Sequence, residues 1–211
     1  MSDILSTSPG AINHSHLGVA AWAEVDFSPN TITIKVHNTE NDMLDIGQAI
    51  SNLSFTVTQN IPTSLSMVSS NGYERYVATN GTFTDQQPWF TGWSSSFANT
   101  LISLTAPNPK DLMVGPPNPG TGLYSSADYT IAGNGPDNPF LGPDASFVLN
   151  APGVTSNTHV RAAQFGLGLG TDAVALQIVE GNPQIPEPAS LTLLVGGGAL
   201  LLRRRRGRAG R

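Results

Sequence analysis

Apolar and polar residues alternate along much of the chain, which is the pattern of β-strands with one buried face. Between residues 31 and 37 every second position is apolar: Ile32, Ile34 and Val36. An apolar stretch and the turn residues Ser28-Pro29-Asn30 precede this segment, so residues 19–37 predict a β-hairpin. Similar segments, rich in β-branched or aromatic residues and separated by turn residues, predict further strands at 53–57, 65–68, 73–78, 81–84, 101–105, 127–131, 145–149, 159–169 and 173–179.

Helical spacing is essentially absent before residue 186, although residues 43–51 fit either one short helix or an irregular strand. Residues 106–143 contain eight of the sixteen prolines, and proline at that density removes amide donors that central strands need. We expect long surface loops there, with short strands near 112–114 and 127–131. The predicted fold class is all-β: one antiparallel β-sandwich, jelly-roll-like or immunoglobulin-like, with long Pro/Gly loops and one short C-terminal helix of the transmembrane type.

The distribution of charge divides the chain in two. Charged residues make up 12% of the 211 residues, roughly half the usual fraction. Six of the ten basic residues lie in the last nine positions, whereas the part before Glu187 has 14 acidic and 4 basic residues. Four cations cannot neutralise a string of phosphates, so we predict that this part binds no nucleic acid. Cysteine is absent, which excludes disulfides, cysteine zinc sites and thiol catalysis.

Candidates for metal binding are few. His14 and His16 would share one face of a strand, as a metal site requires, but no further His or Cys lies nearby, and a solvated terminus fits better. Acidic residues offer oxygens for calcium without the spacing and glycine of an EF-hand loop: Glu40, Asp42, Asp45, Asp137 and Asp144. We predict no cofactor, with calcium in these loops as the alternative.

No catalytic constellation is visible in the sequence. The glycines of segment 166–171 are followed by Thr171-Asp172, where a phosphate loop needs Lys and then Ser or Thr, so a strand with a glycine face is predicted instead. The serines of segment 92–96 lack the second glycine of a nucleophile elbow. No pair of carboxylates stands out. We predict that the protein is not an enzyme.

Aromatic residues cluster between residues 89 and 97. Trp89 and Trp93 are candidate ligand-stacking residues of a sugar-binding surface, with Phe90 and Phe97 beside them. The alternative is that this group fills the core, as aromatic groups more often do.

The last 26 residues have three parts in a specific order: Pro186-Glu187-Pro188, an uncharged apolar segment 189–202, and an arginine cluster from Arg203 onward. A basic cluster stays on the cytoplasmic side of a membrane, which would leave the acidic part outside. The apolar segment is short, about 21 Å as a helix against ~30 Å of hydrocarbon. We expect a temporary membrane anchor whose apolar residues are Ala189, Leu191, Leu193, Leu194, Val195, Leu200, Leu201 and Leu202, with its topology set by Arg203, Arg204, Arg205 and Arg206.

These residues resemble the PEP-CTERM sorting signal of exported proteins in Gram-negative bacteria. The resemblance covers about 26 of the 211 residues, from the Pro-Glu-Pro box to the arginines. It implies that Pro186, Glu187 and Pro188 form the recognition box for exosortase, a membrane-embedded processing enzyme, and that the tail is removed or exchanged after export. Members of this family are typically surface or matrix proteins associated with exopolysaccharide and biofilm.

Such proteins need an N-terminal signal peptide. This sequence begins Met1-Ser2-Asp3-Ile4 and has no Lys or Arg before Lys35, so the basic region that opens a signal peptide is missing. We expect either that the true start lies upstream of Met1 or that another export route is used.

The expected organisation has five parts: a flexible N-terminal segment 1–17, a β-sandwich ectodomain 18–181, a linker with the Pro-Glu-Pro box 182–188, a hydrophobic anchor helix 189–202 and an arginine-rich cytoplasmic tail 203–211. The expected function is that of an exported cell-surface or extracellular-matrix protein without catalytic activity. Its precursor would be anchored in the inner membrane, and its partners would be exosortase and exopolysaccharide. The alternative is a secreted carbohydrate-binding or adhesion module.

Overall fold

The computed structural model describes residues 2–58, 64–89, 91–107, 109–125, 130–170 and 172–180, without the side chains of 87–89 and 179–180. This part of the chain contains one 3-10 turn, Ile46–Gln48, within the segment expected to be a short helix or an irregular strand. It also contains eleven strands: β1 Ser2–Thr7, β2 Ala21–Ser28, β3 Thr31–Asn38, β4 Ile50–Val57, β5 Ser66–Val77, β6 Phe83–Trp89, β7 Ser94–Ala98, β8 Leu101–Thr105, β9 Phe140–Asn150, β10 Val160–Leu167 and β11 Asp172–Glu180.

All eleven strands belong to one sheet, in the order β6-β5-β9-β3-β2-β1-β11-β10-β4-β8-β7. Every neighbouring pair is antiparallel. The sheet curls into a half-barrel, because β5 near one end contacts β7 at the other. The predicted all-β antiparallel class is therefore confirmed. One continuous curled sheet takes the place of the two separate sheets expected of a sandwich.

The core lies on the concave face of this sheet. In β3 the alternation predicted from sequence buries Ile32, Ile34 and Val36 completely. The same period of two faces Phe55 of β4 and Phe147 of β9 inward, since successive strand residues point to opposite faces. The predicted hairpin 19–37 is formed by β2 and β3, which pair from Ala21 and Asn38 to Ser28 and Thr31.

A short segment, Leu112–Val114, closes the half-barrel from the inside, and we call it the closing segment. Met113 exchanges backbone hydrogen bonds of 2.8 and 3.0 Å with Ile50 at the start of β4. On its other side, the Val114 amide donates to Leu141 of β9 at 2.9 Å, and the Leu141 amide donates to Leu112 at 3.1 Å. The short strand expected near 112–114 is thus present as a bridge between two distant strands, and its side chains are fully buried.

Strand β5 differs from the prediction because it is one strand of 12 residues in place of two short strands at 65–68 and 73–78. Its pairing with both β6 and β9 shifts register between Gly72 and Glu74. Such irregularities bend a strand and change the direction of its side chains. The strand predicted at 127–131 falls mostly on residues 126–129, which lie outside the described part.

The N-terminal segment 1–17 was expected to be flexible, and this prediction was wrong for β1. This strand pairs with β2 on one side and β11 on the other, and Leu5 is fully buried. Asp3 is also fully buried. Its carboxylate accepts a hydrogen bond from the Val160 amide at 2.6 Å and pairs with His159 Nδ1 at 3.1 Å, so the buried acid has polar partners. The sequence pattern did not predict β1, because one of its two buried residues, Asp3, is an acid and interrupts the alternation of apolar and polar positions.

A buried arginine joins the long Pro/Gly loop to the sheet. Arg75 of β5 donates two hydrogen bonds, of 2.7 and 2.6 Å, to the carboxylate of Asp85 on β6. It donates a third, of 2.8 Å, to the hydroxyl of Tyr124 in the loop, and that hydroxyl donates to the Gly115 carbonyl at 2.5 Å. The guanidinium also lies 4.1 Å from the centroid of the Phe83 ring. This network holds the loop that follows the closing segment.

Asp85→Asn removes the charge that pairs with Arg75 while keeping the shape of the side chain. We expect a loss of about 3 kcal/mol in the free energy of unfolding, because a buried guanidinium is left without its counter-charge. The matched control is Glu24→Gln, since Glu24 pairs at 2.8 Å with Lys35, whose side chain is 51% exposed. That variant should lose less than about 1 kcal/mol. Urea denaturation of both measures the difference, and equal losses would contradict the account.

Candidate functional site

A concave site lies where the two ends of the curled sheet approach each other. We call it the seam groove. Its volume is about 460 Å³, and it is lined by Glu74, Tyr76, Pro107, Pro109, Lys110, Asp111 and Pro139. Two of these residues come from β5, near one end of the sheet. The loop after β8, near the other end, supplies Pro107, Pro109, Lys110 and Asp111. Curling of the sheet therefore brings together residues that are far apart in sequence.

Asp111 is fixed in this groove by its backbone. Its amide donates to the Pro139 carbonyl at 3.2 Å, and its own carbonyl accepts a hydrogen bond of 2.8 Å from the indole of Trp93. Its φ of 59° lies in the left-handed region, which Asp and Asn adopt more readily than other residues with a Cβ. The residue is only 4% exposed. The next residue, Leu112, begins the closing segment, so the acid and the segment are positioned together.

The surroundings of Asp111 make its ionisation costly. Burial raises the pKa of its carboxyl from 3.8 to about 6, and the nearby charge of Glu74 contributes in the same direction. The Gly92 amide, which hydrogen-bonds to the carboxylate, and the Lys110 ammonium oppose the increase in pKa. Glycine is required at 92, because a Cβ there would lie 2.5 Å from Asp111 Oδ2 and 2.8 Å from Pro107.

Glu74 and Tyr76 form the opposite wall on β5. They are two residues apart, so both side chains point to the same face of the strand. The Tyr76 hydroxyl donates to Glu74 Oε1 at 3.4 Å, and 41% of the tyrosine is exposed. The groove thus combines an accessible aromatic ring and rigid prolines with two carboxyl groups, one ammonium and one phenol. This set can bind a ligand that has both apolar faces and hydrogen-bonding groups.

A second group of functional residue types lies on the outer face of the sheet. Trp22 and His37 are cross-strand partners, and their rings stack with centroids 3.8 Å apart and planes 16° apart. His37 Nδ1 lies 2.5 Å from Asp144 Oδ1, whose side chain is 64% exposed. These two contacts orient the imidazole, and His37 and Asp144 are not among the residues that line the seam groove.

Three other acidic candidates have structural partners. Asp42 accepts hydrogen bonds from the Ser125 amide at 2.8 Å and from Asn118 at 2.9 Å, and Asp45 caps the 3-10 turn through the Gly47 amide at 2.7 Å. Asp137 accepts from Asn134 at 2.7 Å. Across the described ranges no group of three or more His, Cys, Asp or Glu is arranged to hold a metal ion. Calcium binding stays a prediction.

The N-terminal histidines do not form a site with each other. His14 and His16 are both exposed, and the His14 amide hydrogen-bonds to the Asp172 carboxylate. At the glycine-rich segment, Gly166 is part of β10 and a Cβ there would lie 2.9 Å from Asn52 of the neighbouring strand. The predicted strand is confirmed over residues 160–167. The predicted glycine face was wrong beyond Leu167, because Gly168 and Gly170 lie in a turn with positive φ.

The sugar-stacking interpretation of Trp93 needs correction. Trp93 is 3% exposed, its indole donates to the Asp111 carbonyl, and its ring lies 5.3 Å from that of Phe147 in the core. It therefore has no free face for a ligand. The side chain of Trp89 lies outside the described residues. So do the predicted sorting box Pro186-Glu187-Pro188, the anchor 189–202 and the arginine cluster.

The residues of the seam groove were not singled out in the sequence. The available signal was a charged pair, Lys110-Asp111, in a loop with proline on either side. Nothing local connects that pair with Glu74 and Tyr76, because the contact depends on curling of the whole sheet.

Comparison of the chain with protein-family models, curated proteins and solved structures finds no match in any of the three. Within the described ranges, no helix combines the length and the hydrophobicity that crossing a membrane requires.

Asp111→Asn tests the environment of the buried acid. Because the folded pKa of about 6 exceeds the ordinary 3.8, ionisation of Asp111 destabilises the folded protein above pH 6, by about 3 kcal/mol. This cost declines between pH 6 and pH 4 and is absent below. The variant should therefore be more stable than the wild type at pH 8 and equal to it near pH 4. Urea denaturation across this range measures the difference, and a difference independent of pH would contradict the raised pKa.

Proposed function

We propose that this protein is an exported bacterial cell-surface or extracellular-matrix protein without catalytic activity, sorted through a C-terminal PEP-CTERM signal. The observation that carries the proposal is the order of three features in residues 186–211: the Pro-Glu-Pro box, the uncharged apolar segment and the arginine cluster. A soluble core helix has no reason to end in four consecutive arginines. A basic nucleic-acid-binding tail has no need of the preceding apolar segment.

Features of the rest of the chain support this proposal. The part before Glu187 has 14 acidic and 4 basic residues and no cysteine, which is suitable for a soluble domain outside the cytoplasm. The described strands bury their apolar residues within one sheet. The last of these strands along the chain, β11, ends at Glu180. The proposed signal therefore follows a folded unit, where a processing enzyme can reach it without unfolding that unit.

The proposed pathway has two steps. Residues 189–202 form a short helix that anchors the precursor in the inner membrane, with Arg203–Arg206 on the cytoplasmic side. Exosortase then recognises Pro186, Glu187 and Pro188 and removes or exchanges the tail, which releases the acidic domain to the cell surface or to a matrix containing exopolysaccharide. Loss of the six terminal arginines makes the mature domain strongly acidic.

The alternative function, a carbohydrate-binding or adhesion module built on Trp89 and Trp93, loses one of its two residues because Trp93 is buried. A binding role would need another surface.

Replacement of Pro186-Glu187-Pro188 by three alanines tests the sorting proposal. The full chain is expressed behind an added signal peptide in a bacterium that contains exosortase, and intact-mass spectrometry maps the C-terminus of the exported protein. We expect wild-type protein to lack Arg211 and the alanine variant to retain it in the membrane fraction. Pro183→Ala is the matched control, since Pro183 lies outside the box, and it should be processed normally.

Two results would overturn the sorting proposal. One is exported wild-type protein that still carries Arg211. The other is alanine-variant protein processed to the same extent as the wild type.

A further inference from the structure

We propose that the seam groove is a binding site for a neutral pyranose saccharide. In this site the CH faces of the sugar ring pack on Tyr76 and the prolines, and its hydroxyl groups hydrogen-bond with Glu74, Lys110 and Asp111. The inference goes beyond the sorting proposal and is independent of it, since every residue that carries it belongs to the folded domain.

The size of the groove fits a small ligand or a short segment of a chain-like one. Its volume of about 460 Å³ lies in the lower half of the 300–1,000 Å³ range of small-molecule sites. A folded partner protein would instead need a broad surface of about 800 Å² on each side. An oligosaccharide can place one or two rings in the groove and leave the rest of its chain in solvent.

The polar groups of the groove supply both acceptors and donors. The Glu74 and Asp111 carboxyl groups accept hydrogen bonds, Lys110 donates, and the Tyr76 hydroxyl can do either. A sugar hydroxyl also donates and accepts, so adjacent hydroxyl groups can satisfy both kinds of partner. Asp111 is held by two backbone hydrogen bonds and is 4% exposed. Its position therefore exists before a ligand binds, which limits the entropy lost on binding.

The apolar parts of the groove are rigid and accessible. Tyr76 is 41% exposed and presents an aromatic ring, the usual partner of the apolar face of a sugar ring. Pro107, Pro109 and Pro139 add surfaces without polar atoms, and proline loses no side-chain freedom when it is covered. These surfaces and the two carboxyl groups line the same groove, so one sugar ring can contact both kinds of group.

The charges of the groove and of the domain favour a neutral ligand. An anionic sugar would meet the carboxylates of Glu74 and Asp111 in a domain with 14 acidic and 4 basic residues. A strongly cationic ligand would meet Lys110 in the same groove. An uncharged polyhydroxyl ligand can use all three groups without bringing like charges together. Neutral hexose or N-acetylhexosamine chains are therefore expected, and polyuronates are not.

The test begins with the purified full chain at pH 7.5 on a glycan array that carries neutral hexose oligosaccharides, N-acetylhexosamine oligosaccharides and oligouronates. We expect binding to at least one neutral oligosaccharide and none to the oligouronates. The strongest neutral oligosaccharide is then titrated by calorimetry. Tyr76→Ala should raise Kd by about tenfold or more, since a stacking surface worth at least 1.4 kcal/mol is lost. Lys110→Ala, at an exposed position, should raise it by about threefold.

Tyr73→Ala is the matched control, because Tyr73 lies on the same strand and is 43% exposed but does not line the groove. Its Kd should stay within about twofold of the wild-type value. The alanine triple variant at 186–188 should bind as the wild type does, which separates this test from that of sorting. The proposal is overturned if no neutral oligosaccharide binds, if only oligouronates bind, or if Tyr76→Ala and Lys110→Ala both leave Kd unchanged.

Discussion

Backbone pairing on both sides of Met113 holds the curvature on which the rest of the structure depends. Open sheets of more than about ten strands curl or divide into two layers, and this one has eleven strands in the described chain. The closing segment Leu112–Val114 pairs with Ile50 at the start of β4 and with Leu141 at the start of β9. Because Met113 lies between β4 and β9, these two strands are two inter-strand spacings of about 4.8 Å apart. The resulting distance of about 10 Å is the usual separation of two packed sheets. One curled sheet thereby obtains a core like that of two layers.

The same pairing creates the seam groove. Closure places the loop after β8 against Glu74 and Tyr76 of β5, and Asp111 enters the groove as the residue directly before the closing segment. The stretch after the segment is tied to the sheet through Tyr124 and the buried Arg75. A long loop rich in Pro and Gly is therefore held at two points, and its charged pair, Lys110-Asp111, directly precedes the first of them. The geometry of the groove therefore depends on the closure of the sheet.

Alternation in the sequence predicted most strands, because β2, β3, β4 and β9 have one buried apolar face that any local window reveals. It did not predict β1, whose buried Asp3 is satisfied by an amide and a histidine more than 150 residues away. The sequence left open whether Trp93 stacks on a ligand or fills the core, because a tryptophan's burial depends on the fold around it, and the structure confirms the core alternative for Trp93. The candidate groove was missed for the same reason, since Glu74 of β5 and Asp111 of the loop after β8 line one groove only because the sheet is curled. The local pattern of apolar and polar residues predicts the strands, whereas the groove depends on contacts between segments that are distant in sequence.

Amide hydrogen exchange at Met113 and Val114 tests most directly whether the closing segment is an integral part of the sheet. Their backbone hydrogen bonds to Ile50 and Leu141 are 2.8 and 2.9 Å long, and both side chains are fully buried. These amides should therefore exchange as slowly as that of Ile34 in the central strand β3, through global unfolding only. Exchange of Met113 and Val114 at the rate of exposed loop amides would contradict the closure of the half-barrel and the groove that follows from it.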